Sequence, residues 1–416
     1  MVISIHNPDR YMADLRTIVA QGRKRIGFLI GAGAAAGLMD PSTGKPLIAA
    51  VQGLTKDVLT ALEPDYGAVI AAIQAVHPGA NIETVLSRVR SLANVLGGSK
   101  VDGLDGPNYT KFSQRICDEI GSAVSVKLPP GDTPYKDLVN WIVGTDRDHP
   151  VEVFTTNYDL LLEEAFEAAH APYFDGFTGG REPFFDPVSV ATNDLPSRWT
   201  RLWKVHGSLG WQANSSGEVI RTGLTSATHL IYPEHLKYDL TQKAPYAALF
   251  DRLRAFLTTK DTLLISVGFS FADAHVAARV DESLAANPSA SLFAFQYQEL
   301  ASEKFAEALA EKRPNFSVYA RDRAIINGVA GDWRPGDPPA RDWEPIRKTY
   351  WGSVGGGSPR FLLGDFSSFA RFLVMSRSGQ ALDPPSAVAV PSSVVGSTSA
   401  ATPAPIAPSA ALGLTP

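Results

Sequence analysis

The run Val153-Phe154-Thr155-Thr156-Asn157-Tyr158-Asp159 and its downstream counterpart Trp203-Lys204-Val205-His206-Gly207-Ser208 constrain this chain more than any other feature. Each is an apolar stretch of strand length that stops abruptly at a polar side chain able to do chemistry. A third such run, residues 26–30, ends in Gly31-Ala32-Gly33, and a fourth, residues 262–267, is continuously apolar and leads into Gly268-Phe269-Ser270. Continuous apolar runs flanked by helical segments suit parallel strands buried on both faces. In an open α/β sheet, ligands sit outside the carboxyl ends of the strands, so an Asn and a His delivered there meet over one substrate. The fold class expected is therefore α/β: a doubly wound, Rossmann-like parallel sheet.

Along the chain, a first helix is predicted over 9–21 and a strand over 26–30. From 47 to 150 apolar residues recur at three- and four-residue spacing, with Gly and Pro breaks, which predicts a helical insertion between two strands of the sheet. Residues 151–156 return to the sheet, 160–169 form an amphipathic helix, and 171–200 are rich in aromatics, Gly and Pro. Such a long irregular stretch is often a functional loop. Strands follow at 202–206, 262–267 and 291–295, with a helix over 245–257. The expected organisation is a Rossmann-like domain from 1–46 and 151–330, the helical insertion 47–150, a closing segment 331–375 and a disordered tail 376–416. Ser, Ala, Pro, Val and Thr dominate that tail, with almost no charge and no periodicity.

Taken singly, the polar residues admit two readings each. Gly31-Ala32-Gly33 is either an ordinary tight βα turn or a turn whose backbone N–H groups approach a diphosphate, helped by the following helix N-terminus. Full GxGxxG spacing is missing, which disfavours a common dehydrogenase. Asn157 reads as a turn residue or helix cap, or as an amide holding a water or ribose hydroxyl. Asp159 and Asp273 each read as a helix N-cap or as a ligand contact. His206 reads as a satisfied core histidine or as a base, since imidazole titrates near neutrality. The remaining histidines, including His229, His235 and His275, read as structural or surface residues.

Taken together, Gly31-Ala32-Gly33, Thr156-Asn157-Tyr158-Asp159, Lys204-Val205-His206-Gly207-Ser208 and Val267-Gly268-Phe269-Ser270 resemble the Sir2 (sirtuin) superfamily. The likeness is closer to its bacterial SIR2-like, NAD-hydrolysing branch found in anti-phage defence systems. Asn81-Ile82-Glu83-Thr84-Val85-Leu86 and Leu363-Gly364-Asp365-Phe366 add to the resemblance, which spans roughly residues 20 to 375. It implies that Asn157 and His206 are catalytic. It further implies that Gly31, Ala32, Gly33, Thr156, Asp159, Gly268, Ser270 and Asp273 contact NAD+, which is substrate rather than bound cofactor, with no metal required. The activity implied is hydrolysis of NAD+ to nicotinamide and ADP-ribose by a triggered defence effector. The partners implied are further copies of the chain and a separately encoded sensor, such as a HerA-like ATPase or an Argonaute-type guide system. Two alternatives stay open: a non-catalytic module sensing NAD+ or ADP-ribose, and an NAD-dependent protein deacylase.

Composition weighs on those alternatives. Cys117 is the single cysteine of 416 residues, so the chain has neither an internal disulfide nor a thiolate zinc module. Protein-deacylating sirtuins carry a four-cysteine zinc module that frames the acyl-lysine channel. Gly37-Leu38-Met39-Asp40-Pro41 also replaces their Ile-Pro-Asp-Phe-Arg type segment and supplies no arginine. A formal net charge of -5 and the lack of a dense basic run argue against a nucleic-acid footprint, with Arg23-Lys24-Arg25 and Lys312-Arg313 read as solvated helix and strand ends. No apolar stretch reaches the roughly 20 residues that span a bilayer, and the first ten residues lack the form of a secretory signal. The expected location is the cytoplasm.

Overall fold

The computed structural model describes residues 4–223, 245–339, 343–353 and 357–377. His229, His235 and the tail from 378 onward lie outside the described residues. In chain order the strands are β1 (Ser4–His6), β2 (Arg25–Ile30), β3 (Glu152–Thr155), β4 (Tyr173–Phe174), β5 (Phe177–Thr178), β6 (Phe184–Phe185), β7 (Thr200–Lys204) and β8 (Trp211–Ala213). There follow β9 (Val219–Arg221), β10 (Thr262–Val267), β11 (Ser291–Phe295), β12 (Phe316–Tyr319), β13 (Arg323–Ile326), β14 (Val329–Trp333), β15 (Trp351–Gly352) and β16 (Arg360–Phe361).

Ten of these strands make one sheet in the order β1-β14-β13-β12-β11-β10-β2-β3-β7-β4. From β12 to β4 every neighbouring pair is parallel. The chain builds outward from β2 to one side through β3, β4 and β7, then crosses back to lay β10, β11 and β12 on the other side. The strand order therefore reverses between β2 and β10, and that crevice is where an open α/β sheet receives its ligand. The sheet is doubly wound, as its alternation requires. Ile26, Phe28 and Ile30 of β2 and Leu263, Ile265 and Val267 of β10 pack into one apolar core. Leu29, Phe154, Trp203 and Leu264, each one residue out of step, pack into a second core on the opposite face. Each fully buried large side chain contributes about 1.5–3 kcal/mol to the drive for that layering.

Helices of the 51–143 stretch (Val51–Val76, Ile82–Leu96, Gly106–Val124 and Pro134–Val143) enter the chain between β2 and β3 and share the first core. Their starts are written in capping chemistry: Asn81 accepts from Thr84 N at 2.9 Å, Asp105 from Asn108 N at 2.9 Å and Thr133 from Lys136 N at 3.3 Å. Asp365 caps Phe366–Ser376 in the same way, accepting from Ser368 N at 2.9 Å. Gly364 beside it lies so close to Gln296 that a Cβ would fall 2.1 Å from its carbonyl oxygen. Two of the segments that carry the resemblance are thus structural joints.

Observed elements depart from expectation in three places. Residues 171–200 are not an irregular loop; they hold β4, β5, β6 and the helix Pro187–Thr192. With β8 and β9, strands β5 and β6 form a four-stranded antiparallel sheet in the order β5-β6-β9-β8. The strand expected at 202–206 is Thr200–Lys204, so His206 stands beyond the strand, in the turn that follows. Finally, β12, β13, β14 and the N-terminal β1 extend the sheet past β11. Among the described residues no helix is long and apolar enough to cross a membrane.

Candidate active site

Four strand ends converge at the crevice. Register pairs Ile30 with Thr155, Thr155 with Lys204, and Ile30 with Val267, so the residues just after β2, β3, β7 and β10 emerge side by side. The turns after β2 and β10 touch. Gly31 N donates to Val267 O at 3.2 Å and Gly33 N to Gly268 O at 2.9 Å. Any Cβ here collides with backbone: one on Gly31 would lie 2.4 Å from Gly268 O, and one on Gly268, whose φ is +67°, 2.5 Å from Ala34 N. The glycines are thus explained by the approach of two turns, and two of their N–H groups are spent on it. Exposed Ala32 stands between them.

Asn157 is fixed to this turn. Thr155 Oγ1 donates to Ile30 O at 2.9 Å and accepts from Asn157 N at 3.1 Å, while Asn157 Nδ2 donates to Gly31 O at 3.2 Å. The hydroxyl that matters locally belongs to Thr155, whereas Thr156, the threonine expected at the site, is half-buried and bonds through its backbone N to Ile30 O at 3.3 Å. Asn157 is only 9% exposed, and its Oδ1 is buried with no partner among the described residues. An unmet buried acceptor costs roughly 1–3 kcal/mol, and native proteins carry few of them.

His206 follows Val205, whose N donates to Thr155 O at 3.0 Å, and Leu209 N donates to Tyr158 O at 3.0 Å. These bonds hold the loops carrying Asn157 and His206 against each other. His206 Nε2 lies 2.9 Å from Asp273 Oδ2, both side chains being buried, and its ring sits 6.4 Å from that of Phe250. Asp273 does two things at once. Its Oδ1 accepts from His275 N at 2.9 Å and Val276 N at 3.2 Å, capping the helix Ala274–Ala286, and its Oδ2 faces the imidazole. Sequence reasoning offered these roles as alternatives and missed the pairing, because nothing in spacing links a residue after β7 to one after β10.

The loop between Gly268 and Asp273 is tightly wound. Phe271 is buried with φ of +60°, a conformation unusual for a side chain of its size, and its ring packs 5.0 Å from both Phe269 and Phe316. Ser270 is exposed at the crest, its Oγ accepting from Ala272 N at 3.4 Å.

Behind Asn157 lies a charged cluster that joins Asp159, singled out in the sequence, to Glu163 and Lys204, whose part in it sequence reasoning missed. Asp159 is buried, and its Oδ1 accepts from Leu161 N at 3.1 Å. Burial pushes its carboxyl up to about 6, with Glu163 adding to the rise and Lys204 and the Leu161 N–H opposing it. Lys204, also buried, donates to Glu163 Oε1 at 2.9 Å, to Tyr158 O at 3.4 Å and to Asp159 O. Its signal was legible as a lysine ending an otherwise apolar strand.

A family model described as a SIR2-like domain matches residues 151–318, the stretch that carries Asn157, Asp159, His206, Gly268, Ser270 and Asp273. A solved structure from work on the mechanism and regulation of Sir2 enzymes is similar over 70% of this chain and 86% of that chain, at 14% identity and a TM-score of 0.32. No curated protein matches this chain.

Proposed function

We propose that this chain hydrolyses NAD+ at the bond between nicotinamide and ribose. The observation that carries the reading is the buried Oδ1 of Asn157, which has no partner among the described residues and is held at the crevice beside the His206–Asp273 pair. The SIR2-like match over these same residues supports NAD+ as the substrate. In the proposed reaction the C1′–N bond breaks, nicotinamide leaves with the bonding electrons, and positive charge develops on the ribose as in glycoside cleavage. Asn157 Oδ1 accepts a hydrogen bond from the attacking water or a ribose hydroxyl. His206 takes the proton released when water adds to C1′, and the Asp273 carboxylate stabilises the imidazolium so formed. Asp159 orients the nicotinamide amide, while Ala32, Thr156 and Ser270, with the glycine turns, line the ribose and diphosphate. Products are nicotinamide and ADP-ribose.

An unrestrained NADase exhausts its own cell, so the activity belongs to a triggered effector. We place it in bacterial anti-phage defence, as a homo-oligomer switched by a separately encoded partner such as a HerA-like ATPase. The test is nicotinamide release from NAD+ by the purified protein, alone and with the product of a neighbouring gene. His206→Ala should lower turnover by roughly 10²- to 10⁴-fold. Full activity in that variant rejects the assignment, and tight NAD+ binding without turnover in any condition replaces it with a sensing module.

A further inference from the structure

A cavity of about 660 Å³ opens beside the loops that carry Asn157 and His206, lined by Leu160 and Glu163, by Tyr173 and Asp175, and by Trp211 and Arg221 among others. Its size falls within the range of small-molecule sites. We propose that it binds a small organic cation, a primary amine on a partly apolar body, with the ammonium group on Glu163.

Glu163 is 8% exposed. Its Oε1 is held by Lys204, yet its Oε2 is buried with no hydrogen-bond partner among the described residues. Lys204 cannot serve it: an ammonium has three donors, and those of Lys204 are directed to Oε1 and to the carbonyls of Tyr158 and Asp159. Glu163 lines the cavity, so a ligand held there can supply the missing donor. Charge selects its sign. Four carboxylates (Glu163, Glu167, Asp175 and Glu182) line the cavity against two guanidiniums, Arg181 and Arg221. Arg221 is already paired with Asp175, and Glu167 Oε1 accepts from Tyr173 Oη at 3.0 Å. The Tyr173 hydroxyl is pushed up by burial first, and then by the neighbouring charges of Glu163, Glu167 and Asp175.

Two other occupants fit less well. A hard divalent cation takes six to eight oxygen ligands at close range, whereas here Glu167 and Asp175 are engaged and the space is far larger than an ion. A phosphate-bearing ligand meets four carboxylates. An ammonium supplies the N–H that Oε2 lacks and offsets the excess charge, while Leu160, Trp211 and Ile220 cover an apolar body.

The test is calorimetric titration of the full chain with 2-phenylethylamine, beside neutral 2-phenylethanol and N-acetyl-2-phenylethylamine. The amine should bind at least about tenfold more tightly than either neutral compound, the strength of one charge-assisted contact. Glu163→Gln should erase that preference. Because Glu163 also holds Lys204, Ile220→Trp provides a variant that fills the cavity and leaves the ion pair intact; it should abolish binding with an unchanged thermal midpoint. Absence of amine binding, equal binding of the neutral compounds, or unchanged binding in Ile220→Trp overturns the proposal. None of this depends on NAD+ turnover.

Discussion

Two buried polar clusters stand at opposite ends of this sheet, and only one is complete. At the β1 side, Asp9 Oδ1 accepts from Tyr350 Oη at 2.6 Å and Arg347 Nε at 3.2 Å, and its Oδ2 from Gly336 N at 3.0 Å. Trp343 Nε1 donates to Tyr350 Oη at 2.6 Å, and Arg347 Nη2 to Gly336 O at 3.1 Å. None of its buried side-chain atoms lacks a partner among the described residues, and the cluster fastens the first helix to the closing segment. At the carboxyl ends of β3 and β7, by contrast, Asn157 Oδ1, Glu163 Oε2 and Tyr135 Oη are buried without partners among the described residues. A finished network rigidifies; an unfinished one, sustained at a cost in stability, marks where a ligand completes it.

The comparison breaks first on activity. Loss of His206 or Asn157 should cost roughly 10²- to 10⁴-fold in turnover, and in Asn157→Ala stability should change little. Asp9→Ala should do the reverse, destabilising by about 3–5 kcal/mol because Arg347 and Tyr350 are left without their acceptor. Denaturant unfolding checks this, and turnover of the folded fraction should match wild type. Asp159→Asn should sharpen the contrast through pH. The folded Asp159 carboxyl stands near 6, above its unfolded value of about 3.9, so the folded state holds that proton more tightly. Wild-type stability from this group is therefore present at about pH 4 and lost as pH rises through about 6. The variant lacks that loss, and its advantage over wild type should grow across this window to about 2–3 kcal/mol. Smallest is Asp273→Asn, which keeps a cap on Ala274–Ala286 but no longer stabilises a protonated His206. Turnover should fall by roughly 1–3 kcal/mol in barrier terms, as initial rates of nicotinamide release would show.

Much of this architecture was legible in the chain because strand identity came from continuous apolar runs. Residues 262–267 and 291–295 were read as strands, and β10 and β11 occupy these spans. What escaped was signalled by turn chemistry instead. Asn327-Gly328, both at positive φ (53° and 76°), close the hairpin between β13 and β14, a dipeptide whose meaning is local and strong. Pro and Gly were read as breaks between helical segments, yet Pro64 lies within Val51–Val76, where packing of Leu59, Leu62 and Val69 into the first core overrides the lost backbone bond. At the site, sequence brought out Asn157, His206 and Asp273 as separate residues. Their relation is a product of sheet topology: β7 and β10 lie on opposite sides of β2 and are far apart in the chain. The Glu163–Lys204 contact escaped for the same reason, since α-helical Glu163 and strand-borne Lys204 meet only once β3 and β7 are laid side by side.

The most direct measurement is NAD+ turnover and thermal unfolding of Asn157→Ala beside wild type, in one preparation with any activating partner present. The account predicts that nicotinamide release collapses while the unfolding midpoint stays close to the wild-type value, because removal of the unmet buried acceptor offsets loss of the Nδ2 bond to Gly31 O. Retained turnover, or a loss of stability as large as that of Asp9→Ala, would contradict it.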